Sequence, residues 1–369
     1  MTGHLQSQYV QVDPEANAGI RREMEMSDTY KAVEVTAPGT LRVVERPIRK
    51  PDAGQVRIRV EACGICHSDV LAVEGLLPNA EFPRVPGHEA IGRIDALGAG
   101  VTGWRVGQRV GVGFLGGNCG QCAQCRRGDF VNCLRQQFTG TTNDGGYAEV
   151  MYAAGSGLSA VPDELKSVDA APLLCAGLTT FNALRNSRAR AGDLVAVQGV
   201  GGLGHLAVQY ARHMGFRVAA IARGQSKQEL AVRLGAHHYI DSEATDPAKT
   251  LQQLGGATVI LATASSSKSH SGLLGGLRPG GSVLVVGLDG GPIEIGSTDL
   301  VLSERSVDGS KTGSAQDGED TLAFSVLQNI RPMIETVPLE QAADAYARMM
   351  QGKPRFRMVL VTGAPVHRS

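Results

Sequence analysis

The run Leu194-Val195-Ala196-Val197 leads directly into Gly199-Val200-Gly201-Gly202-Leu203-Gly204, and this stretch decides the fold. The apolar run is too short for a helix and suits a parallel strand buried on both faces. The six residues after Gln198 fit the pattern G-x-G-x-x-G. Leu206, Val208 and Met214 follow among small residues as a helical pattern, and Val218–Ile221 is a second apolar run. Strand, glycine turn, helix, strand is the setting in which that motif binds a dinucleotide. The glycines permit the tight turn and the close approach of backbone to a pyrophosphate at the helix N-terminus. The flanking runs matter, because a chain with 48 glycines in 369 residues contains such spacings by chance. Thr258–Ala262 and Ser282–Val286 read as later strands of the same sheet. A doubly wound, parallel α/β domain is therefore expected over residues 177–315.

Upstream the texture is different. Lys31–Val35, Leu41–Glu45, Gln55–Glu61, Ile91–Leu97, Gln108–Val112 and Tyr147–Met151 are short strand-like runs separated by glycine. In the third, Val56, Ile58 and Val60 alternate with Arg57, Arg59 and Glu61, the period of a half-buried strand. Many short strands with glycine turns suggest a small barrel-like β domain. From about residue 316 the chain is expected to return to it. Residues 1–29 show no hydrophobic pattern and are expected to be a mobile or surface extension. The length suits two domains.

Lysine plus arginine number 36 and aspartate plus glutamate 36, so no basic footprint for nucleic acid exists. No apolar run approaches the ~18 residues of a membrane helix, and the first 25 residues lack a signal-peptide core. A cytoplasmic protein with a small-molecule partner, without nucleic acid or membrane, is the expectation.

In such a setting clustered cysteines suggest metal before disulfides. Cys119, Cys122, Cys125 and Cys133 read C-x2-C-x2-C-x7-C, enough to close a tetrahedron around one structural Zn²⁺ in a lobe over 116–135. The iron–sulfur spacing C-x2-C-x2-C-x3-C-P differs from it. Three cysteines remain: Cys63, Cys66 and Cys175. One thiolate from the Cys63–Cys66 stretch, the imidazole of His88 and the thiolate of Cys175 would make a Cys2His set, which leaves a fourth position open for chemistry. Taken singly, Cys175 is more often an inert core cysteine and His88 a satisfied core histidine.

The order Gly64-Ile65-Cys66-His67-Ser68-Asp69, Gly87-His88-Glu89, the four-cysteine lobe, Cys175 and the glycine fingerprint resembles the zinc-containing medium-chain alcohol dehydrogenases. The resemblance, which includes similarity to NADP-dependent cinnamyl-type and bacterial zinc alcohol dehydrogenases, runs from about residue 30 to the C-terminus. It implies a GroES-like catalytic domain over 30–176 and 316–369, a Rossmann domain over 177–315, and two Zn²⁺ per chain. It implies that Cys66, His88 and Cys175 bind the catalytic zinc, with Glu89 behind the metal as a transient ligand and Asp69 orienting His88. Ser68 matches the proton-relay hydroxyl. The histidine that often completes the relay is replaced by Leu71, so the proton's exit departs from the family pattern. His67 and Arg357 match groups near the cofactor pyrophosphate, and Thr179 one beside the nicotinamide. Phe114 and Leu115 are implied in the substrate pocket, with Leu76 or Leu77 at its entrance. Their apolar character favours a hydrophobic tail over a polyol. Cys63 has no family role and reads as core. Homodimers or homotetramers are usual.

The cofactor is read from the end of the second strand. NAD-preferring sites place a carboxylate there, about 20 residues after the fingerprint, for the ribose 2′-OH. Here the position is Ala222, followed by Arg223, Ser226 and Lys227. No carboxylate repels a 2′-phosphate and two cations attract it. NADP is expected to be preferred, with NAD the alternative cofactor. The expected activity is reversible hydride transfer between a primary or secondary alcohol and NAD(P). The rival within the superfamily is a zinc-containing reductase of activated C=C or iminium substrates; Ser68, Glu89 and the complete Cys2His set favour carbonyl chemistry.

Overall fold

The computed structural model describes residues 29–77 and 80–363. The expected N-terminal extension lies outside the described residues, Thr29 apart. Strands β1 (Thr29–Ala37) and β2 (Thr40–Pro47) form an antiparallel hairpin. β3 (Gln55–Ile65), β4 (Ala90–Leu97) and β5 (Arg109–Val112) form the spine of a mixed sheet. β6 (Leu115–Gly117) pairs with β7 (Gln137–Phe138) beside the four-cysteine lobe. β8 (Val150–Ala154) lies against β3, and β9 (Leu158–Ala160) against β5.

The alternation in β3 is real but ends midway. Val56, Ile58 and Val60 are buried with partly exposed residues between them, whereas Ala62 to Ile65 are buried without a break. The change of period has a cause. Residues 55–59 pair with β8, and 62–65 pair instead with the last strand of the chain, where Ala62 packs into the core shared with the second sheet and Cys63 and Ile65 into the core of the β domain, so both faces of this half of β3 are covered.

Six parallel strands make the second sheet: β10 (Leu194–Gln198), β11 (Arg217–Ala222), β12 (His238–Asp241), β13 (Ala257–Ala262), β14 (Leu277–Val285) and β15 (Ser306–Gly309). Their spatial order is β12-β11-β10-β13-β14-β15. Order reverses between β10 and β13, so a crevice opens at the C-terminal end of β10, where dinucleotides bind in such sheets. The glycine fingerprint sits there. A Cβ on Gly204 would overlap the Gly199 carbonyl, so the helix Gly204–His213 can start this close to β10 only with glycine at that place.

The chain then returns to the mixed sheet. β16 (Ile334–Pro338) and β17 (Arg357–Val361) run parallel to each other, and β17 lies antiparallel to β3. A continuous apolar cluster joins the sheets, with Ala62, Ile91 and Val359 packed in one core with Leu173, Val197 and Leu206. The fold is therefore α/β, a GroES-like β domain on a doubly wound Rossmann sheet. The segment expected as a strand at Tyr147–Met151 is displaced: β8 begins at Val150, and Tyr147 is buried ahead of it.

Candidate active site

Cys66 follows the end of β3 and begins the tight turn His67–Asp69. His88 and Glu89 precede β4. Cys175 lies in the wide helical turn Leu173–Gly177, ahead of the helix Leu178–Arg185. Three segments far apart in sequence thus meet: the ligand atoms of Cys66, His88, Glu89 and Cys175 all lie within 4.8 Å of one another. The Cys66 and Cys175 sulfurs are 3.6 Å apart. A zinc tetrahedron with Zn–S bonds of ~2.3 Å has edges of about 3.8 Å.

The donor set fits a metal on a second ground. His88 Nδ1 donates to Asp69 Oδ1 at 2.9 Å, while Nε2 is buried without a hydrogen-bond partner. An orphaned buried imidazole nitrogen facing two thiols is the arrangement of a metal-ligating histidine whose tautomer is fixed from behind. Asp69 is itself held: its Oδ2 accepts from the Cys66 N–H at 2.8 Å and from the Tyr147 hydroxyl at 2.7 Å. Sequence reading missed Tyr147, since nothing distinguishes it there from a core aromatic.

The charges are strongly coupled. The hydrogen bond with Cys175 draws the Cys66 thiol well below its usual range against the opposing effect of burial, with Arg357 and His88 adding to the fall. Cys175 moves the other way for the same reason, aided by burial. Burial alone would lower His88, but the Asp69 and Cys66 charges overcome it and raise it well above the ordinary value. Glu89 is fully buried, and burial pushes its carboxyl up to about 7 although Arg357 opposes this. Arg357 Nη2 donates to Glu89 Oε1 in a buried ion pair. Gly64 is required here: a Cβ would overlap the Glu89 carboxylate.

The four-cysteine lobe is a separate group. Its sulfurs lie 3.5 Å (Cys122–Cys125), 3.6 Å (Cys119–Cys133) and 4.0 Å (Cys119–Cys125 and Cys122–Cys133) apart. These are edges of a metal-sized tetrahedron. Backbone N–H groups of Gln121 and Cys122 pull the Cys119 thiol down to about 6, while burial and the neighbouring thiols push Cys125 up to about 12.

On the dinucleotide side, a Cβ placed on Gly202 would lie 3.1 Å from Arg357 Nη1. Arg357 therefore spans the fingerprint and Glu89. Thr179 is buried, Ser68 half-buried and His67 exposed. Arg223 is exposed just past β11, and Lys227 is half-buried with its ammonium 5.9 Å from the Phe356 ring centre. A carboxylate does lie close by, contributed by β12: Asp241 pairs in register with Ala222. Its Oδ1 accepts from the backbone N–H of Gly224 (2.8 Å) and of Glu243 (2.9 Å), which holds the loop after β11.

Known proteins can now be set beside this geometry. Residues 52–163 match the family model "Alcohol dehydrogenase GroES-like domain" and residues 202–326 match "Zinc-binding dehydrogenase". The chain is 42% identical to an alcohol dehydrogenase, patD, of Penicillium expansum, over 90% of this chain and 97% of that protein. It is 39% identical to an alcohol dehydrogenase of Geobacillus stearothermophilus, over 91% and 97%. This chain belongs to the zinc-type medium-chain alcohol dehydrogenase family. Among solved structures, a cinnamyl alcohol dehydrogenase of Sorghum bicolor superposes with a TM-score of 0.83 at 30% identity, covering 92% of this chain and 100% of the other.

In this alcohol dehydrogenase the two residues expected in the pocket are placed differently. Phe114 meets the His88 ring edge-on, with centroids 5.1 Å apart, and packs on Phe138 at 5.2 Å. Leu115 is buried in β6 opposite Phe138. A groove of about 310 Å³ lies by the segment that follows the His67–Asp69 turn, lined by Leu71, Leu77, Phe82, Thr141 and Thr142 among others. Leu77, rather than the exposed Leu76, lines it. No helix among the described residues is long and apolar enough to cross a membrane.

Proposed function

We propose that this enzyme is a zinc-dependent alcohol dehydrogenase and aldehyde reductase acting on a primary or secondary alcohol with an apolar tail, with NADP preferred to NAD. The observation that carries the reading is the orphaned Nε2 of His88 between the Cys66 and Cys175 sulfurs, joined to the fingerprint by Arg357. Bound zinc would polarise the alcohol or carbonyl oxygen and the nicotinamide would carry the hydride. The chain supplies the rest. Cys66, His88 and Cys175 hold the metal, and Asp69 keeps the His88 tautomer that leaves Nε2 free. Glu89 stands behind as an alternative ligand, its charge balanced by Arg357. Ser68 Oγ takes the proton from the reacting hydroxyl; Leu71, at the position that would pass it onward, carries no group able to accept it. Phe114 forms an apolar wall against His88, with Leu115 behind it.

The same proposal assigns a structural zinc to Cys119, Cys122, Cys125 and Cys133, and cofactor contacts to His67, Thr179, Gly199, Gly201, Gly202, Leu203, Gly204, Arg223, Lys227 and Arg357. It divides the chain into a catalytic domain of 30–176 and 316–369 and a dinucleotide domain of 177–315. Assembly into a homodimer or homotetramer in the cytoplasm belongs to it. Arg223 and Lys227 have no ion-pair partner among the described residues, which supports the NADP preference.

The test is initial rates with one aromatic and one aliphatic aldehyde, NADPH and NADH side by side, with Cys66→Ala as the metal control. Faster turnover with NADPH, lost in the control, is expected. Equal or better rates with NADH overturn the cofactor preference. Turnover of activated alkenes or iminium ions alone overturns the carbonyl reading.

A further inference from the structure

The segment Arg355-Phe356-Arg357 enters β17 across the mouth of the dinucleotide crevice, and it is stitched to the fingerprint. The backbone N–H groups of Phe356 and Arg357 donate to the Met333 carbonyl at 2.9 and 3.1 Å. The Met333 N–H donates to His205 Nε2 at 3.1 Å, and His205 Nδ1 donates to the Gly201 carbonyl at 2.9 Å. The His205 and Phe356 rings lie 5.0 Å apart. Burial drives the pKa of His205 down to about 4, so the imidazole is neutral at working pH and both bonds are of fixed sense.

This stitching places one arginine on each side of Phe356. Arg357 lies between Gly202 and Glu89. On the other side the Lys227 ammonium stands 5.9 Å from the Phe356 ring centre, next in sequence to the exposed Arg355. Burial and the charges of Arg355 and Arg223 together disfavour the protonated form of Lys227. None of these three cations has an ion-pair partner among the described residues. Two of the nearby carboxylates are otherwise committed: Glu335 accepts from Arg348 at 2.6 Å and from the Arg355 N–H at 3.1 Å, and Asp241 holds its own loop. A third, Glu243, lies beside Gly224 and forms no ion pair among the described residues. Three like charges brought together, none of them neutralised by an ion pair, form a site for an anion.

We propose that Arg355 is a specificity-determining residue that joins Arg223 and Lys227 in holding the adenosine 2′-phosphate of NADP(H). The cofactor's phosphates are then read from both halves of the chain, the 2′-phosphate by Arg355 and the pyrophosphate by Arg357, two residues apart on one pinned segment. This rests on the NADP preference argued above.

Calorimetric binding of adenosine 2′,5′-bisphosphate and of 5′-AMP to the full chain separates the two claims. The wild type should bind the bisphosphate at least about tenfold more tightly than 5′-AMP. Arg355→Ala should weaken the bisphosphate by about tenfold and 5′-AMP by less than about twofold. Arg355→Lys should recover part of the loss. If Arg355→Ala leaves the wild-type preference intact, or weakens both ligands equally, Arg355 does not read the 2′-phosphate, and the NADP preference stands without it. If the wild type binds both ligands equally, the NADP preference itself falls and takes this inference with it. Because Arg355 is exposed, a thermal melt matching the wild type excludes misfolding as the cause.

Discussion

The two clusters of this chain that could hold a metal ion reach similar geometry by opposite means. In the lobe every ligand lies between Cys119 and Cys133, and local backbone sets the sulfurs. Cys119 Sγ accepts from Cys122 N–H (3.4 Å), Cys122 Sγ from Cys125 N–H (3.5 Å), and Cys133 Sγ from Cys119 and Arg135 N–H (both 3.4 Å). The active-site cluster has no such local order. Cys66 and Cys175 are 109 residues apart, and they meet only because β3, β4 and the turn 173–177 are packed in one core. The lobe's ligands are partly exposed at Cys119 and Cys122, whereas His88 and Glu89 are buried. In the proposed reading, a metal in the lobe would stabilise the loop that holds it, whereas the set assembled by the whole fold would leave a coordination position open.

Substitutions at the two sites should therefore show opposite signatures. Cys66→Ala should lower kcat/KM by ~10³-fold or more, since it removes a ligand at the reacting oxygen. Its melting temperature should stay near the wild-type value, because the fold is assembled without it. Cys122→Ala should lower the melting temperature by roughly 5 °C or more while the protein that remains folded keeps most of its turnover. Kinetics, thermal melts and metal content per chain, measured together, check both. If Cys122→Ala abolishes turnover as completely as Cys66→Ala and leaves the melt unchanged, the division of labour is wrong.

Acid should strike the assembled site through its frame. His205 ties the fingerprint to the segment leading into β17, and burial holds its pKa at about 4. In the unfolded chain the group titrates near ~6.5. The folded pKa is the lower, so this contribution is complete above about pH 6.5 and is lost as pH falls toward about 4. The difference corresponds to about 3 kcal/mol over that window. His205→Gln should flatten the slope of unfolding free energy against pH between those limits by that amount. An unchanged slope would mean that His205 does not sit neutral in the core. The lobe contains no histidine, so its metal retention in the variant should track global unfolding only.

How much of this was legible in the sequence follows the same division. The lobe was readable from spacing because its geometry is local. The fingerprint was readable because strand, glycine turn and helix are adjacent in the chain. The scattered ligands could be named only by resemblance, since no local pattern connects residues 66, 88 and 175. What escaped was contact between distant segments. Tyr147 looked like part of a strand, yet its ring sits in the core and its hydroxyl reaches Asp69. Arg357 was expected at the pyrophosphate, and its pairing with Glu89 was not foreseen. Asp241 reaches the end of β11 from the next strand, where counting along one strand does not look. The groove at Leu71 could not be read either, because Thr141 and Thr142 come from the loop after β7.

Two glycines turn the comparison into its smallest and most local test. Gly64 lies in β3 between β4 and β17, and the space a methyl group would need is taken by the Glu89 carboxylate. Glu89 cannot move outward, being fully buried and paired to Arg357. Gly64→Ala should therefore cost about 1–3 kcal/mol of stability, the usual range for overpacking a core. The displacement should also reach the ligand set, so metal content and cofactor affinity fall together. Gly120, between the first two lobe cysteines, is the opposite case. Its φ is +67°, and nothing lies within 4 Å of an added Cβ. Gly120→Ala should cost roughly 1–2 kcal/mol through backbone strain alone. Turnover per folded chain should not change, and only metal release from the lobe should quicken. If Gly120→Ala slows turnover as Gly64→Ala does, the lobe supports the active site directly, and the two clusters are parts of one device.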